Sequence, residues 1–132
     1  MKVLIITDGN EEIQSIAHLI NKSLPDFKIK ICSAEDFEGK EILPVDVFFI
    51  GCVLPSPSCF NFFELMLSHI NLAPRKCGLF SINSESIKYL QSIVKDCEAD
   101  IGTPLLTSKI TNSKGEIKEA ELKKWLNSIL KI

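Results

Sequence analysis

No apolar run in this 132-residue sequence approaches a membrane span: the longest, Val47 to Pro55, is under half of the roughly 20 residues required. Ahead of Asp8 only Val3 to Ile6 is apolar, shorter than the about 7–15 residues of a secretory h-region. No C-x-x-C occurs, and the five cysteines (Cys32, Cys52, Cys59, Cys77 and Cys97) are odd in number, which argues against a disulfide framework. The two histidines, His18 and His69, are far apart, and neither has a Cys or His at zinc-ligand spacing, so no structural zinc site is expected. Charge of neither sign dominates. Fifteen basic residues against 17 acidic ones leave a net charge of -2, without the concentrated basic face that a nucleic-acid binder needs. Six glycines, six prolines and 45% hydrophobic residues exclude a disordered or fibrous composition. The expectation is a soluble cytoplasmic protein, one domain over residues 1–132, with neither nucleic acid nor membrane as partner.

Apolar runs and helical stripes alternate along the chain. Val3 to Ile6 is a short continuous run, suited to a strand covered on both faces. After Asp8-Gly9-Asn10, the residues Ile13, Ile16, Ala17, Ile20 and Leu24 recur at helical spacing, with Glu11 and Glu12 in the first turn and Pro25 as terminator. Phe27, Ile29 and Ile31 alternate with Lys28 and Lys30, as in a half-buried edge strand. Ser33 to Pro44 reads as loop or a single helical turn. Val45 to Ile50 is the most apolar strand and belongs at the centre. Lys76 to Ser81 is a fourth strand, Ile87, Leu90, Val94 and Cys97 mark a helix, and Ile101 with Leu105–Leu106 forms a fifth strand broken by Gly102 and Pro104. Leu122, Trp125, Leu126, Ile129 and Leu130 form the stripe of a last helix. Such alternation predicts a three-layer α/β/α sandwich on a five-stranded parallel sheet.

One helix carries surplus apolar side chains. Ser56 is read as N-cap and Pro57 as first residue of a helix running to Ile70. Phe60, Phe63, Leu67 and Ile70 form a stripe adequate for docking on the sheet, which leaves Phe62, Leu65 and Met66 facing outward. That face predicts a homodimer or partner interface through helix 57–70. Cys52 and Cys59 flank the loop before this helix, where packing is the first reading and a redox pair the second.

With strand order 2-1-3-4-5, the crevice for a ligand lies beyond the carboxyl ends of the first and third strands. It is bordered by Thr7–Glu12, Gly51–Ser56 and Ser81–Ser84. Lys2 to Ile6, Gly9-Asn10, Asp46 to Gly51, Gly78 to Ser81, Ala99 to Leu105 and the polar stretch Thr111 to Lys118, in this order and spacing, make the chain resemble the short-chain flavodoxins. The resemblance extends over nearly all of the sequence and implies a flavodoxin-like fold, non-covalent FMN, electron transfer and a redox partner protein. It implies that Thr7, Asp8, Gly9 and Asn10 lie at the FMN phosphate. Gly51, Cys52, Val53 and Leu54, with Ser81, Ile82 and Asn83, would flank the flavin ring.

Against that pattern, only Thr7, Gly9 and Asn10 suit a phosphate loop; where the family supplies hydroxyls, Glu11 and Glu12 stand with Asp8 beside them. A helix N-terminus attracts phosphate through free N–H groups and its positive dipole end. A carboxylate there repels a dianion by roughly 1 kcal/mol per charge pair at 4–5 Å in water, and severalfold more at lower dielectric. Read as helix chemistry alone, Glu11 and Glu12 are ordinary first-turn charges worth about 0.3–1 kcal/mol each. Neither ring loop holds Trp or Tyr, so Phe60 is the nearest aromatic to help stack a flavin.

A weaker resemblance, to response-regulator receiver domains, rests on Ile5 to Glu12, Asp46 to Pro55 and Ser81 at the switch position. There the phosphoacceptor falls on Gly51 and an acidic-pair position on Gly9, so no aspartyl phosphate forms and the magnesium site lacks its central ligand. Ser33–Pro44 is short for a receiver's second helix. Ser56 has no G-x-S-x-G setting, and no serine-hydrolase arrangement is evident. Two functions stand at this level: a divergent FMN electron carrier with weakened phosphate binding, and a cofactor-free interaction domain, pseudo-receiver or flavodoxin relic, that acts through Phe62, Leu65 and Met66.

Overall fold

The computed structural model describes residues 1–131. Strands β1 (Lys2–Thr7), β2 (Lys28–Ser33), β3 (Val47–Gly51) and β4 (Lys76–Ser81) pair in parallel, and the short β5 (Asp100–Ile101) and β6 (Leu105–Leu106) both pair with β4. The order is β2-β1-β3-β4-β5, as the sequence resemblance implies. The fifth position is shared by two short strands because Gly102 and Pro104 separate them, and Pro104 has no N–H for a ladder. Helices α1 (Glu11–Ser23), α2 (Asn61–Leu67), α3 (Ser84–Val94) and α4 (Glu119–Leu130) cover the sheet.

The continuous apolar runs follow from burial on both faces. Leu4, Ile6, Phe48, Ile50 and Leu79 point to a core shared with Phe60, Phe63, Leu90 and Val94 on the α2/α3 side. Their alternates Val3, Ile5, Val47, Phe49 and Phe80 pack with Ile13 and Ile20 of α1 and Leu122, Trp125 and Ile129 of α4. The Trp125 ring lies 5.6 Å from that of Phe49, and its Nε1–H donates to the Thr103 carbonyl at 2.7 Å. Ser33–Pro44 contains only a 3-10 turn, Gly39–Glu41, and Lys30 Nζ lies 2.5 Å from Glu41 Oε2, fastening that turn to the edge strand. β2 is half exposed, as its Lys/Ile alternation predicts.

Three expectations need correction. Helix 57–70 is shorter: a 3-10 turn, Ser58–Phe60, precedes α2, which ends at Leu67. Ser56 is not its cap. It sits at φ 51, a left-handed conformation that costs a non-glycine residue of order 1–3 kcal/mol, and Pro57 takes the extended cap position. Phe62 and Leu65 are each 59% exposed, but Met66 is half-buried, packed on the core with its Cγ against Gly39. The 3-10 turn Gly39–Glu41 gives Met66 this cover.

Candidate functional site

Parallel pairing in register sets the site. Thr7 lies opposite Gly51, and Gly51 opposite Phe80, so the loops after β1, β3 and β4 leave the sheet side by side. Thr7, Gly51, Cys52 and Ser81 are buried at the strand ends, Asp8, Val53, Ile82 and Asn83 are half-buried, and Gly9, Asn10 and Leu54 are exposed. The eleven residues singled out in the sequence therefore converge on one end of the sheet.

Within the β1 loop the turn is made by Gly9 at φ +81, a conformation glycine adopts freely. The Gly9 N–H donates to Thr7 Oγ1 at 3.2 Å, and the Thr7 hydroxyl in turn donates to Gln14 Oε1. The Asn10 N–H donates to Asp8 Oδ1 at 3.0 Å. Asn10 caps α1, its Oδ1 accepting from the N–H groups of Glu12 and Ile13 at 2.9 and 3.3 Å. The N–H groups of Gly9 and Asn10 thus both donate to side chains of their own turn. Glu11 and Glu12 are exposed in the first turn of α1.

The β3 loop is bound to both neighbours. Val53 N–H donates to Asp8 Oδ2 at 2.8 Å. Val53 O accepts from Asn83 Nδ2 and from Ser86 Oγ, each at 2.6 Å, and Ser81 Oγ donates to Cys52 O at 2.6 Å. Asn83 also caps α3, accepting the Ser86 N–H at 2.8 Å. Ser86 and Gln14 were not singled out in the sequence. For Ser86 the signal was available, since Asn83 stands three residues ahead of it at a helix start. For Gln14 no local pattern exists.

The thiols near this mouth are free and quiet. Burial pushes the Cys52 thiol up to about 12, with the Asp8 charge adding to the shift, and Cys59 is raised by the same two causes. Thiolate is the reactive form, so neither cysteine is activated. Phe60 gives no ring-stacking surface: it is fully buried, edge-on to Phe63 and tilted against Tyr89. At Gly51 a Cβ would come within 2.3–2.8 Å of the Phe80 ring, so any side chain there, a receiver's phosphoacceptor aspartate included, would force that ring to shift. A polar cleft of about 290 Å³ opens beside the mouth, bordered by Glu12, Ile82, Thr107, Ser108, Thr111 and Asn112. Among the described residues no cluster of His, Cys, Asp and Glu suits a metal ion, and no helix is long and apolar enough to cross a membrane.

No protein-family model matches the chain, and no curated protein does. Solved structures do. A short-chain flavodoxin associated with a PDU bacterial microcompartment superposes with a TM-score of 0.79 at 12% identity, covering 99% of this chain and 97% of that one. The fold is the flavodoxin fold. A flavodoxin from Streptococcus pneumonia TIGR4 gives 0.76 at 11% identity over 98% of this chain and 97% of its own. Oxidised flavodoxin 2 from Bacillus cereus gives 0.75 at 18% identity over 99% of both.

The FMN that the flavodoxin resemblance implies is poorly matched by the residues at this mouth. The N–H groups of Gly9, Asn10, Glu12, Ile13 and Val53 already donate to protein oxygens, two of them to one carboxylate. A phosphate entering here would displace those acceptors and meet the charge of Asp8, at a cost of several kcal/mol at the effective dielectric of a partly buried site. These residues do not fit the phosphate.

Proposed function

We propose that this chain is a flavodoxin-fold protein that works without firmly held FMN, as an interaction domain acting through protein contacts. The observation that carries this reading is the Asp8 carboxylate, which bridges the Asn10 and Val53 N–H groups across the crevice. Leu54, 64% exposed, and the α2 pair Phe62 and Leu65 supply exposed apolar surface on the loop after β3 and the helix that follows it. A homodimer through α2 is the simplest contact of this kind. The test is the visible spectrum of the purified protein, followed by addition of micromolar FMN. A colourless protein that ignores the flavin supports the reading; a yellow one overturns it.

A second reading is favoured by the near-complete superposition on three flavodoxins. On it, the chain is an electron carrier with weakly held FMN and a redox partner protein. Gly51–Leu54 and Ser81–Asn83 would border the ring. A bound flavin that is reduced and reoxidised reversibly supports it.

A further inference from the structure

Asp8 follows the last residue of β1, where the chain must turn from the sheet to α1. It is half-buried, and its two carboxylate oxygens serve different loops. Oδ1 accepts from Asn10 within its own turn at 3.0 Å; Oδ2 accepts from Val53, 45 positions away, at 2.8 Å. The Cys59 thiol lies 3.9 Å from the Asp8 carbonyl, so the backbone of the same residue also faces the segment leading into α2. Val53 is held through both its N–H and its C=O, since its carbonyl takes two donors at 2.6 Å from the α3 side. One carboxylate therefore ties the β1 loop to the β3 loop, and one peptide ties the β3 loop to the start of α3. Glu11 and Glu12 share the charge of Asp8 but are exposed, and neither side chain makes such a bond.

We infer that Asp8 is the resident anion of this mouth: its carboxylate occupies the place between the β1 and β3 loops that an external phosphate group would need, and so holds the crevice closed. The inference rests on the reading above and assigns its cause to one residue. Charge-assisted bonds from N–H groups to a carboxylate are stronger than neutral ones, so Asp8 is both a competitor for the donors and a repellent to a second anion. Removing only the charge separates these roles from the shape. In Asp8→Asn, Oδ1 can still accept from Asn10, while the amide NH₂ would face the Val53 N–H, donor against donor. In Asp8→Thr a short hydroxyl cannot reach both loops. Either change frees the Val53 N–H and removes one negative charge from the mouth.

The experiment is a set of parallel titrations, with inorganic phosphate and with FMN, of the wild type, Asp8→Asn, Asp8→Thr and a Glu11→Gln/Glu12→Gln double variant. Binding is followed by amide chemical shifts of residues 7–13 and 51–54, and folding by circular dichroism. Both Asp8 variants are expected to bind phosphate at least about fivefold more tightly than wild type, the change that removing one like-charge pair at about 4 Å brings even in bulk water. The double variant should gain several-fold less, because its charges are screened by water. A gain in the double variant equal to that of the Asp8 variants, or no gain in any, overturns the inference. Wild type saturating with FMN in the same series overturns the proposed function and the inference together, whereas equal or absent gains among the variants overturn the inference alone. Should both Asp8 variants fail to fold, hydrogen exchange at the wild-type Val53 amide decides: protection supports the bridge, and exchange at the rate of an open loop refutes it.

Discussion

Asn83→Ala is the sharpest probe of how the three loops are joined. Asn83 has two jobs that the structure separates: its Oδ1 caps α3 through the Ser86 N–H, and its Nδ2 holds the Val53 carbonyl. Losing the cap costs about 1 kcal/mol, and losing the loop bond about 1 kcal/mol more. Because Ser86 Oγ still donates to Val53 O, no orphaned carbonyl adds to the sum. About 2 kcal/mol at this chain length lowers the melting temperature by about 8 °C. Asn10→Ala is the control, since Asn10 caps α1 without reaching another loop through its side chain. It should cost about 1 kcal/mol, half as much. Adding Ser86→Ala to Asn83→Ala strips the Val53 carbonyl of both donors, and the pair should exceed the sum of its singles by about 1 kcal/mol. Thermal and urea melts measure all four. If Asn83→Ala matches Asn10→Ala and the double change is additive, Val53 is not the shared acceptor described here.

Other outcomes follow from the same geometry. Gly51→Ala drives a Cβ into the Phe80 ring and should cost about 1–3 kcal/mol in urea unfolding; a neutral result would mean the strand end is loose. Trp125→Phe keeps most of the packing but removes the 2.7 Å donor to the carbonyl of exposed Thr103, for a loss of about 0.5–1.5 kcal/mol by the same assay. Cys52 is raised in the folded state from 9.0 to about 12, so its contribution to stability is intact below the ordinary thiol value and erodes as pH rises. Melting temperature should therefore hold to about pH 9 and fall above it, and a Cys52→Ala variant should fall less steeply. Phe62→Ser with Leu65→Ser should change stability by under about 0.5 kcal/mol per site while weakening self-association in sedimentation. A strictly monomeric wild type at high concentration would remove the homodimer.

The fold was legible because its signals are periodic. β3, buried at every position, can only be a central strand, and the stripe from Leu122 to Leu130 has one helical solution with its apolar face on the sheet. Even the broken fifth strand was written in Gly102 and Pro104. The start of α2 was misread because Ser-Pro is an ordinary cap pair, whereas here the chain turns at Ser56 through a left-handed conformation and Pro57 caps instead. Met66 was assigned outward because a helical stripe has no knowledge of Gly39, whose segment packs over it. At the site, the acidic crowding could be read, but not which acid matters. Glu11 and Glu12 stand out by number, yet Asp8 makes the bridge, and its partner Val53 is 45 positions away in an apolar run without any local mark.

The central claim is that this flavodoxin fold has no vacancy for a nucleotide phosphate because Asp8 fills it. Its most direct measurement is an equilibrium titration of the purified wild-type protein with FMN, read by quenching of flavin fluorescence. The expected result is no saturable quenching through the micromolar range. Stoichiometric quenching by the wild type, with Asp8 unchanged, would contradict it.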